Sequence, residues 1–282
     1  MTASLESVPC PLCRAEGADP WATEDGYTAL KCRTCGLVYV SPRPALETIS
    51  EATRTGMHRT EQGTLEVTGS YRGVRVVLRR RLIRSLWPDL ARAAAPIRWL
   101  DIGTGHGEML LALRAVLAPG SDVQGVEPND GKAEPLRRRG FTVAPALDGI
   151  LGRFDVVSLM NVYGHLPDPV GFIRSLDGVL EATGDLIIET GNGAELASRS
   201  DYPDSLSLPD HLSFAGEPQL RRLLADAGYE VVTVHRRRVD GLGHLAQAIV
   251  RRVRGERSRI TMPYRSPFRF LYVRCRPMRP GG

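Results

Sequence analysis

From residue 97 onward, short apolar runs alternate with longer runs whose apolar residues have helical spacing. The apolar runs include IRWLDI at 97–102, DVQGVE at 122–127 and FDVVSLM at 154–160. Strands that are separated by helices pair in parallel, and the helices cover both faces of the sheet. The alternation therefore predicts an α/β fold with a mostly parallel sheet between two layers of helices.

The end of the chain departs from this rhythm. After a long loop come a strand-like run at 229–236, a helix-like run at 243–255 and a last strand-like run at 268–275. This closing strand–helix–strand run predicts an antiparallel edge of the sheet. Its last strand contains Cys275, which we interpret as a buried structural thiol.

The connection between the first strand and its helix reads DIGTGHG and has glycine at every second position. Gly103, Gly105 and Gly107 allow the backbone to approach a ligand closely. In an open α/β sheet, ligands bind beyond the carboxyl ends of the strands, where this loop lies. The loop lacks the lysine of a phosphate-binding P-loop, and its spacing differs from the G-x-G-x-x-G of dinucleotide-binding proteins.

Two acidic residues narrow the choice of ligand. Asp101 precedes the glycines, and Glu127 ends the second strand, 20 residues beyond Gly107. A carboxylate beside the loop would repel a pyrophosphate, but it would not repel a ligand with a cationic end. A carboxylate at the end of the second strand can accept hydrogen bonds from both hydroxyls of a ribose. S-adenosylmethionine has an ammonium, a sulfonium and a ribose but no phosphate, and it fits this pattern.

Four of the five cysteines form two Cys-x-x-Cys pairs, Cys10 with Cys13 and Cys32 with Cys35. The 18 residues between the pairs are typical of a structural zinc site. Four thiolates leave no open position on the metal, so the ion would stabilise the fold rather than catalyse a reaction. Two disulfides or four unrelated thiols are the alternatives. The N-terminus, MTASLESVPC, does not have the pattern of a secretory signal, which disfavours disulfides.

These patterns divide the chain into a zinc-binding module at 1–44, a linker and helical lead-in at 45–95, and a domain at 96–282 that contains the glycine loop. Residues 45–69 are interpreted as a linker with one short helix, and residues 70–95 as an amphipathic helix with a solvated basic face. The net charge is +5, yet Lys31 and Lys132 are the two lysines among 37 basic residues. Such an arginine bias is typical of a GC-rich genome, so the charge does not by itself predict binding to nucleic acid.

The stretch from about Trp99 to Tyr229 resembles the class I S-adenosylmethionine-dependent methyltransferases. LDIGTGHGE resembles their first motif, VQGVEPN their acidic second-strand motif and FDVVSLMNVYGHLPDPVGFIRSL their fourth-strand segment. DHLSFAGEPQLRRLLADAGYEVV resembles a segment of one subgroup. CPLC and KCRTCGLVYVSPRP together resemble the zinc-binding module that precedes some of these enzymes. The resemblance implies a Rossmann-like, seven-stranded sheet with a small zinc-ribbon-like module, and it points to enzymes that tailor sugars or natural products.

The resemblance also implies where the cofactor would bind. Asp101 and the three glycines would line its methionine end, Glu127 would hold the ribose, and Asp148 would lie beside the adenine. Residues just past the fourth strand would form the wall on the methyl-transfer side. The complete set of cofactor candidates is Asp101, Gly103, Gly105, His106, Gly107, Glu127, Asp148, Met160 and Asn161. Many relatives have Glu-His before Leu-Pro-Asp-Pro, whereas this chain has Gly164-His165.

Methyl transfer to a hydroxyl or an amine requires a base, and the pKa of histidine suits that task. His211 is the first candidate, because it lies in a long loop after the fifth strand that we expect over the cleft. His165, which follows the fourth strand, is the second candidate, and Tyr163 is a candidate for orienting the acceptor. For each of these residues, the alternative is a structural role in packing or in loop hydrogen bonding. The other histidines carry no functional prediction.

The sequence thus predicts a cytoplasmic, S-adenosylmethionine-dependent methyltransferase with a structural Zn²⁺ and a small-molecule acceptor, such as a sugar or a secondary metabolite. One alternative is an RNA methyltransferase that grips RNA with the zinc module and the arginine-rich helix. Another is a non-catalytic binding protein with the same fold. RNA is the less favoured partner, because aromatic residues for base stacking make up 6% of the chain. No apolar run reaches 18 residues, so no membrane association is expected, and a homodimer is compatible with the sequence.

Overall fold

The computed structural model describes residues 4–60, 63–66, 69–238, 246, 249–250, 252–255 and 266–278. Within these ranges, no helix is long and apolar enough to cross a membrane. Most of the helix expected at 243–255 lies outside the described residues.

The N-terminal part, residues 4–44, is called the cysteine module here. Its strands are β1 (Leu5–Glu6), β2 (Ala18–Glu24), β3 (Tyr27–Cys32), β4 (Val38–Val40) and β5 (Arg43–Pro44). β2, β3 and β4 pair in antiparallel order, and β1 pairs with β5. These pairings make the module a small antiparallel unit that contains both Cys-x-x-Cys segments.

The segment between the module and the main sheet contains more structure than the linker expected from the sequence. The elements are α1 (Leu46–Thr55), β6 (Met57–Thr60), β7 (Gly63–Glu66), α2 (Gly73–Leu86) and α3 (Pro88–Ala91). The one short helix expected in the linker is present as α1. The hairpin of β6 and β7 was not expected, because its residues are polar and show no clear alternation.

The remaining elements form the main domain. Those of its first half are β8 (Arg98–Ile102), α4 (Glu108–Arg114), β9 (Asp122–Val126), α5 (Asp130–Arg138), β10 (Thr142–Ala144), β11 (Phe154–Met160), α6 (Pro169–Ser175) and β12 (Leu180–Gly191). Those of its second half are β13 (Ser213–Phe214), α7 (Glu217–Asp226), β14 (Tyr229–Arg238) and β15 (Arg269–Pro277).

The main sheet has seven strands in the order β10–β9–β8–β11–β12–β15–β14. The first five strands in this order, β10, β9, β8, β11 and β12, are parallel to one another. Strand β15 is antiparallel to both of its neighbours. The predicted seven-stranded, mostly parallel sheet is therefore confirmed. The predicted antiparallel edge is present as the antiparallel pairs β12–β15 and β15–β14, and the last strand of the chain, β15, lies one place inside the edge strand β14. Leu271, Val273 and Cys275 of β15 are fully buried, which is typical of a strand that is paired on both sides.

The β13 strand does not join the main sheet. It follows the long loop after β12 and pairs with β4, so the cysteine module and the main domain share one four-stranded sheet. This pairing joins the long loop of the main domain to the module.

Side chains of the central strands alternate between two apolar layers. Leu100 and Ile102 of β8 pack in the layer that includes residues of α6, α7 and the cysteine module. Trp99 packs in the opposite layer with residues of α2 and α4. Helices therefore cover both faces of the sheet, as the alternation of strands and helices predicts.

The loop between β8 and α4 depends on glycine at three positions. Gly103, Gly105 and Gly107 have φ values of 67°, 56° and 82°, a region that other residues rarely adopt. A side chain at Gly107 would collide with Leu136, since an added Cβ lies 2.2 Å from Cδ2 of that residue. An added Cβ at Gly105 would meet nothing within 4 Å. The loop is therefore packed against the protein at Gly107 and open at Gly105.

This difference predicts that Gly107→Ala lowers the free energy of unfolding more than Gly105→Ala does. Either alanine would have a left-handed φ, at a cost of about 1–2 kcal/mol. Gly107→Ala would also overpack the buried Leu136, which adds about 1–3 kcal/mol. Urea denaturation of both variants measures the difference, and equal losses of stability would contradict this description of the loop.

Candidate functional site

The predicted cofactor residues come together at one edge of the main sheet. The glycine loop follows β8, Glu127 follows β9, Asp148 lies in a 3₁₀ turn after β10, and Asn161 follows β11. Because these four strands are parallel, their carboxyl ends meet at the same edge. Asp148 and Asn161 are exposed there, and His106 of the loop is half-buried.

Glu127 connects the ends of β8 and β9. Its Oε2 accepts a hydrogen bond of 2.7 Å from the Gly105 N–H, and its Oε1 accepts one of 3.0 Å from the Asn129 N–H. The side chain is buried, and a carboxylate has about four lone-pair positions in total. Glu127 can therefore hold the loop and still accept hydrogen bonds from the hydroxyls of a ligand.

Asp101 lies beneath the glycine loop, in the core. Its Oδ1 accepts a hydrogen bond of 2.5 Å from the hydroxyl of Ser158, whose oxygen in turn accepts one of 2.9 Å from Trp99 Nε1. Burial raises the pKa of Asp101 to about 6, although the Ser158 hydroxyl opposes this effect. The residue is 1% exposed, so its carboxyl group can act on a bound molecule through its charge and through the backbone that it supports.

One arginine of α2 is not on a solvated face. Arg79 forms an ion pair with Glu189 at the end of β12, and Tyr272 donates a hydrogen bond of 3.1 Å to Glu189 Oε1. The positive charge of Arg79 also acts to lower the pKa of Asp101. The expectation of a solvated basic helix face is therefore wrong at this position, because two buried acidic residues at the sheet edge require a cation.

The segment after β11 covers one side of the glycine loop. Met160 is buried, and Asn161 adopts a left-handed φ of 64° while its N–H donates a 3.0 Å hydrogen bond to the Glu189 carbonyl. Val162 packs on Gly103, where an added Cβ would lie 2.5 Å from Val162 Cγ2. The segment that leads to His165 therefore begins in contact with the glycine loop.

Three histidines lie close to one aspartate, Asp210. His165 Nδ1 lies 2.9 Å from the carbonyl oxygen of Asp210 and 3.4 Å from its Oδ1. His58 Nε2, from the hairpin strand β6, lies 3.0 Å from the same Oδ1. The ring centroids of His165 and His211 are 4.5 Å apart. His58 and Asp210 were not predicted as site residues; Asp210 adjoins His211 in the sequence, whereas His58 reaches the cluster through the unexpected hairpin.

The members of this histidine cluster have different proton affinities. Burial lowers the pKa of His165, but the Asp210 carboxylate outweighs burial and raises that pKa above 6.5. Burial and the neighbouring His165 together lower the pKa of His211 to about 4. Burial alone would raise the pKa of Asp210, yet the histidines hold it well below its usual range. At neutral pH, Asp210 is therefore ionised and His211 is neutral, while the Asp210 carboxylate raises the pKa of His165.

Gly164 makes room for this cluster. A Cβ at position 164 would lie 3.1 Å from Cδ2 of His211, and the Gly164 carbonyl accepts a 2.6 Å hydrogen bond from the Leu212 N–H. A glutamate here, as in the Glu-His of many relatives, would crowd the ring of His211. The glycine at position 164 therefore leaves the space that the ring of His211 occupies beside His165.

Tyr163 is fully buried in the apolar layer that also contains Cys10, Leu37 and Tyr39. Burial raises the pKa of its hydroxyl well above the usual range. The expectation that Tyr163 orients an acceptor is therefore not supported by its placement. Its ring belongs to an apolar layer that residues of the main sheet and of the cysteine module share.

The four cysteines of the module converge on one point. Their Sγ atoms all lie within 4.8 Å of one another, and Cys10–Cys35 and Cys13–Cys32 are each 3.5 Å apart. All four are free thiols. Burial raises the pKa of Cys32, but the backbone N–H groups of Cys35 and Thr34 lower it to about 7. The sulfur-only donor set and its spacing fit Zn²⁺, whose four thiolate ligands lie about 3.8 Å apart when the Zn–S distance is about 2.3 Å.

A family model described as a methyltransferase domain matches residues 76–234 of the chain. The chain is also 26% identical over 121 residues to the ubiquinone biosynthesis O-methyltransferase of Pseudomonas aeruginosa strain UCBPP-PA14. That match covers 39% of this chain and 51% of the relative, so the chain spans about half the length of the relative.

Two solved structures with a similar fold have less sequence identity. The [4+2]-cyclase SpnF is 17% identical with a TM-score of 0.51, and the match covers 75% of this chain and 84% of SpnF. The mycolic acid cyclopropane synthase CmaA1, complexed with SAH and CTAB, is 14% identical with a TM-score of 0.52; coverage is 69% and 82%. These two structures support the fold, and the family model matches more than half of the chain. The chain therefore belongs to the methyltransferase domain family.

Proposed function

We propose that this methyltransferase moves the methyl group of S-adenosylmethionine to a hydroxyl or amine of a small molecule, with His165 as the base. The observation that carries the proposal is the histidine cluster, which is linked to the glycine loop through Val162. Val162 contacts Gly103, and the Val162 carbonyl accepts a 2.9 Å hydrogen bond from the His165 N–H. Acceptor chemistry and cofactor binding would therefore take place within one short segment.

The cofactor would lie across the carboxyl ends of β8 to β11. Glu127 would accept hydrogen bonds from the ribose, Asp148 would lie beside the adenine, and the open backbone at Gly105 would allow close approach. When bound, S-adenosylmethionine supplies a methyl group on a positively charged sulfur, which is already activated for in-line displacement. The protein then has two tasks, which are to align the acceptor atom and to take up its proton.

His165 suits the second task better than His211. Asp210 engages His165 Nδ1, which leaves Nε2 for the acceptor, and the carboxylate stabilises the imidazolium that forms on proton uptake. His211 has a pKa of about 4, which makes it a weak base, and its Nδ1 bonds the Leu206 carbonyl at 2.8 Å. We therefore reverse the order expected from the sequence and place His165 before His211.

The acceptor is proposed to be a sugar or a natural-product intermediate. The Pseudomonas relatives are named as O-methyltransferases of ubiquinone biosynthesis, which supports an oxygen atom on a small molecule. An RNA acceptor is less well supported, because Arg79 of the arginine-rich helix is engaged with Glu189. A related fold is also found in the cyclase SpnF, so the assay has to detect methyl transfer itself.

The cytoplasmic location and the homodimer stay predictions.

We also propose that Cys10, Cys13, Cys32 and Cys35 hold a structural Zn²⁺. The cysteine thiolates would complete a closed tetrahedron, so the metal would take no part in methyl transfer.

The zinc proposal predicts about one Zn²⁺ per purified chain, measured by elemental analysis. Cys13→Ser should release the metal and unfold the module, because the free energy of metal binding is folding free energy in such sites. Cys275→Ala is the matched control, since this buried thiol lies outside the cluster. Native protein that contains no metal and has four reactive module thiols would rule the proposal out.

The cofactor proposal predicts that Glu127→Gln weakens S-adenosylmethionine binding by about 1.5–3 kcal/mol, the range for hydrogen bonds to a charged group. The amide keeps the size of the side chain but replaces one acceptor oxygen with a donor. Asp148→Asn is the control at an exposed position, where a smaller effect is expected. Titration calorimetry measures both affinities, and unchanged affinity in Glu127→Gln, or comparable affinity of the wild type for NAD, would contradict the proposed binding mode.

The base proposal predicts a pH dependence. His165 must be neutral to accept a proton, and its pKa lies above 6.5, so kcat/KM should rise as the pH increases through that pKa. Asp210→Asn removes the carboxylate that raises the pKa of His165, so the rise in kcat/KM should move to lower pH.

His165→Ala should reduce kcat by about 10²–10⁴-fold with cofactor affinity retained. The control variant His235→Ala, outside the cluster, should not reduce kcat.

The assay follows transfer of a labelled methyl group to an acceptor found by screening sugar and natural-product alcohols and amines. A base at His211, whose pKa is about 4, would give rates independent of pH between 6 and 9. That profile, or normal rates in His165→Ala, would refute the role of His165.

A further inference from the structure

The loop that carries Asp210 and His211 is held by the cysteine module at both of its ends. Residues 205–214 are called the acceptor loop here. At its start, Glu24 of β2 accepts hydrogen bonds from the Ser205 hydroxyl at 2.5 Å, the Leu206 N–H at 3.1 Å and the Ser207 N–H at 2.7 Å. Arg199 forms a 3.0 Å ion pair with the same carboxylate. One side chain of the module therefore satisfies two successive backbone N–H groups of the acceptor loop.

The far end of the acceptor loop is held by backbone pairing. Ser213 and Phe214 form β13, which pairs with Tyr39 and Val38 of β4. The Val40 N–H also donates a 2.9 Å hydrogen bond to the Leu212 carbonyl. Since β4 begins three residues after Cys35, the pairing of β13 with β4 lies close in sequence to the cysteine cluster.

Apolar packing adds to the Glu24 hydrogen bonds and to the pairing of β13 with β4. Leu206, Leu208 and Phe214 of the acceptor loop pack in one cluster with residues of β3 and β4. The cluster partners from the module are Tyr27, Ala29, Val38 and Val40. The acceptor loop is therefore packed on the module as well as hydrogen-bonded to it.

The hydrogen bonds of Glu24 are connected to the histidine cluster through Leu206. The Leu206 N–H donates to Glu24, and the Leu206 carbonyl accepts the 2.8 Å hydrogen bond from His211 Nδ1. The ring of His211 in turn contacts that of His165 in a tilted arrangement, with ring centroids 4.5 Å apart. A short chain of contacts thus runs from the module, through one peptide group on each side of Leu206, to the proposed base.

We infer that the cysteine module is the scaffold of the acceptor loop and that Glu24 is a positioning residue for methyl transfer. Glu24 acts through Leu206, which fixes His211 against His165. This inference rests on the proposed function for its catalytic consequence, while the anchoring of the loop stands on the contacts alone.

The test compares Glu24→Gln with Glu16→Gln. Both variants lose one negative charge in the same module, but Glu16 is exposed. The amide of Glu24→Gln has one acceptor oxygen in place of two, so either the Leu206 N–H or the Ser207 N–H loses its Glu24 acceptor. Hydrogen exchange at residue 206 or 207 should therefore speed up by about tenfold or more. The kcat for methyl transfer should fall by about 10- to 100-fold, since small displacements of catalytic groups have effects of this size. Cofactor affinity and metal content should stay unchanged.

Unchanged exchange at 206 and 207 in Glu24→Gln would overturn the scaffold role. Faster exchange with normal kcat would overturn the positioning role and leave the proposed function intact. If the wild type transfers no methyl group to any acceptor, the proposed function fails, and the exchange measurement still decides whether Glu24 holds the loop. Equal effects in Glu16→Gln would show that charge loss, and not the Glu24 contacts, is responsible.

Discussion

The parallel pairing of β8 with β9 and β11 is the constraint on which the rest of the structure depends. Parallel strands all end at the same edge, so their following loops are neighbours although they are far apart in sequence. Glu127 uses this proximity when it accepts a hydrogen bond from Gly105. The same pairing aligns Asp101 with Ser158 across two strands, and their side chains are hydrogen-bonded there. The binding edge is thus a consequence of sheet topology.

Buried charge is the second organising feature. A buried ionised group needs a partner of opposite charge or several hydrogen bonds. Glu189 is paired with Arg79 of α2, and Asp210 lies between His58 and His165. Through these ion pairs, α2 and the β6–β7 hairpin contact residues at the edge of the sheet. Segments that precede the main sheet in sequence therefore become part of the site.

Much of the fold could be predicted from local patterns. The alternation of apolar and amphipathic runs predicted the mostly parallel sheet, and the spacing of the glycines predicted the loop after β8. The position of β15 could not be read in this way, because the choice between the last two places in a sheet depends on pairing with distant strands. The hairpin of β6 and β7 was not expected either, because its residues are polar and show no clear alternation. His58 of this hairpin contacts Asp210, which is 152 residues away, and no short stretch of sequence indicates such a contact.

The sequence by itself determined the chemistry that is available: the acidic residues and glycines at the strand ends, the thiols in two close pairs, and histidines after the fourth and fifth strands. These features are local, since each depends on residue type and short spacing. The tertiary structure decided which of these groups meet. It buried Tyr163, it brought His58 and Asp210 to His165, and it placed Glu24 of the cysteine module beneath the acceptor loop. Such contacts are set by strand order and by the pairing of buried charges, and neither is encoded within a short stretch of the chain.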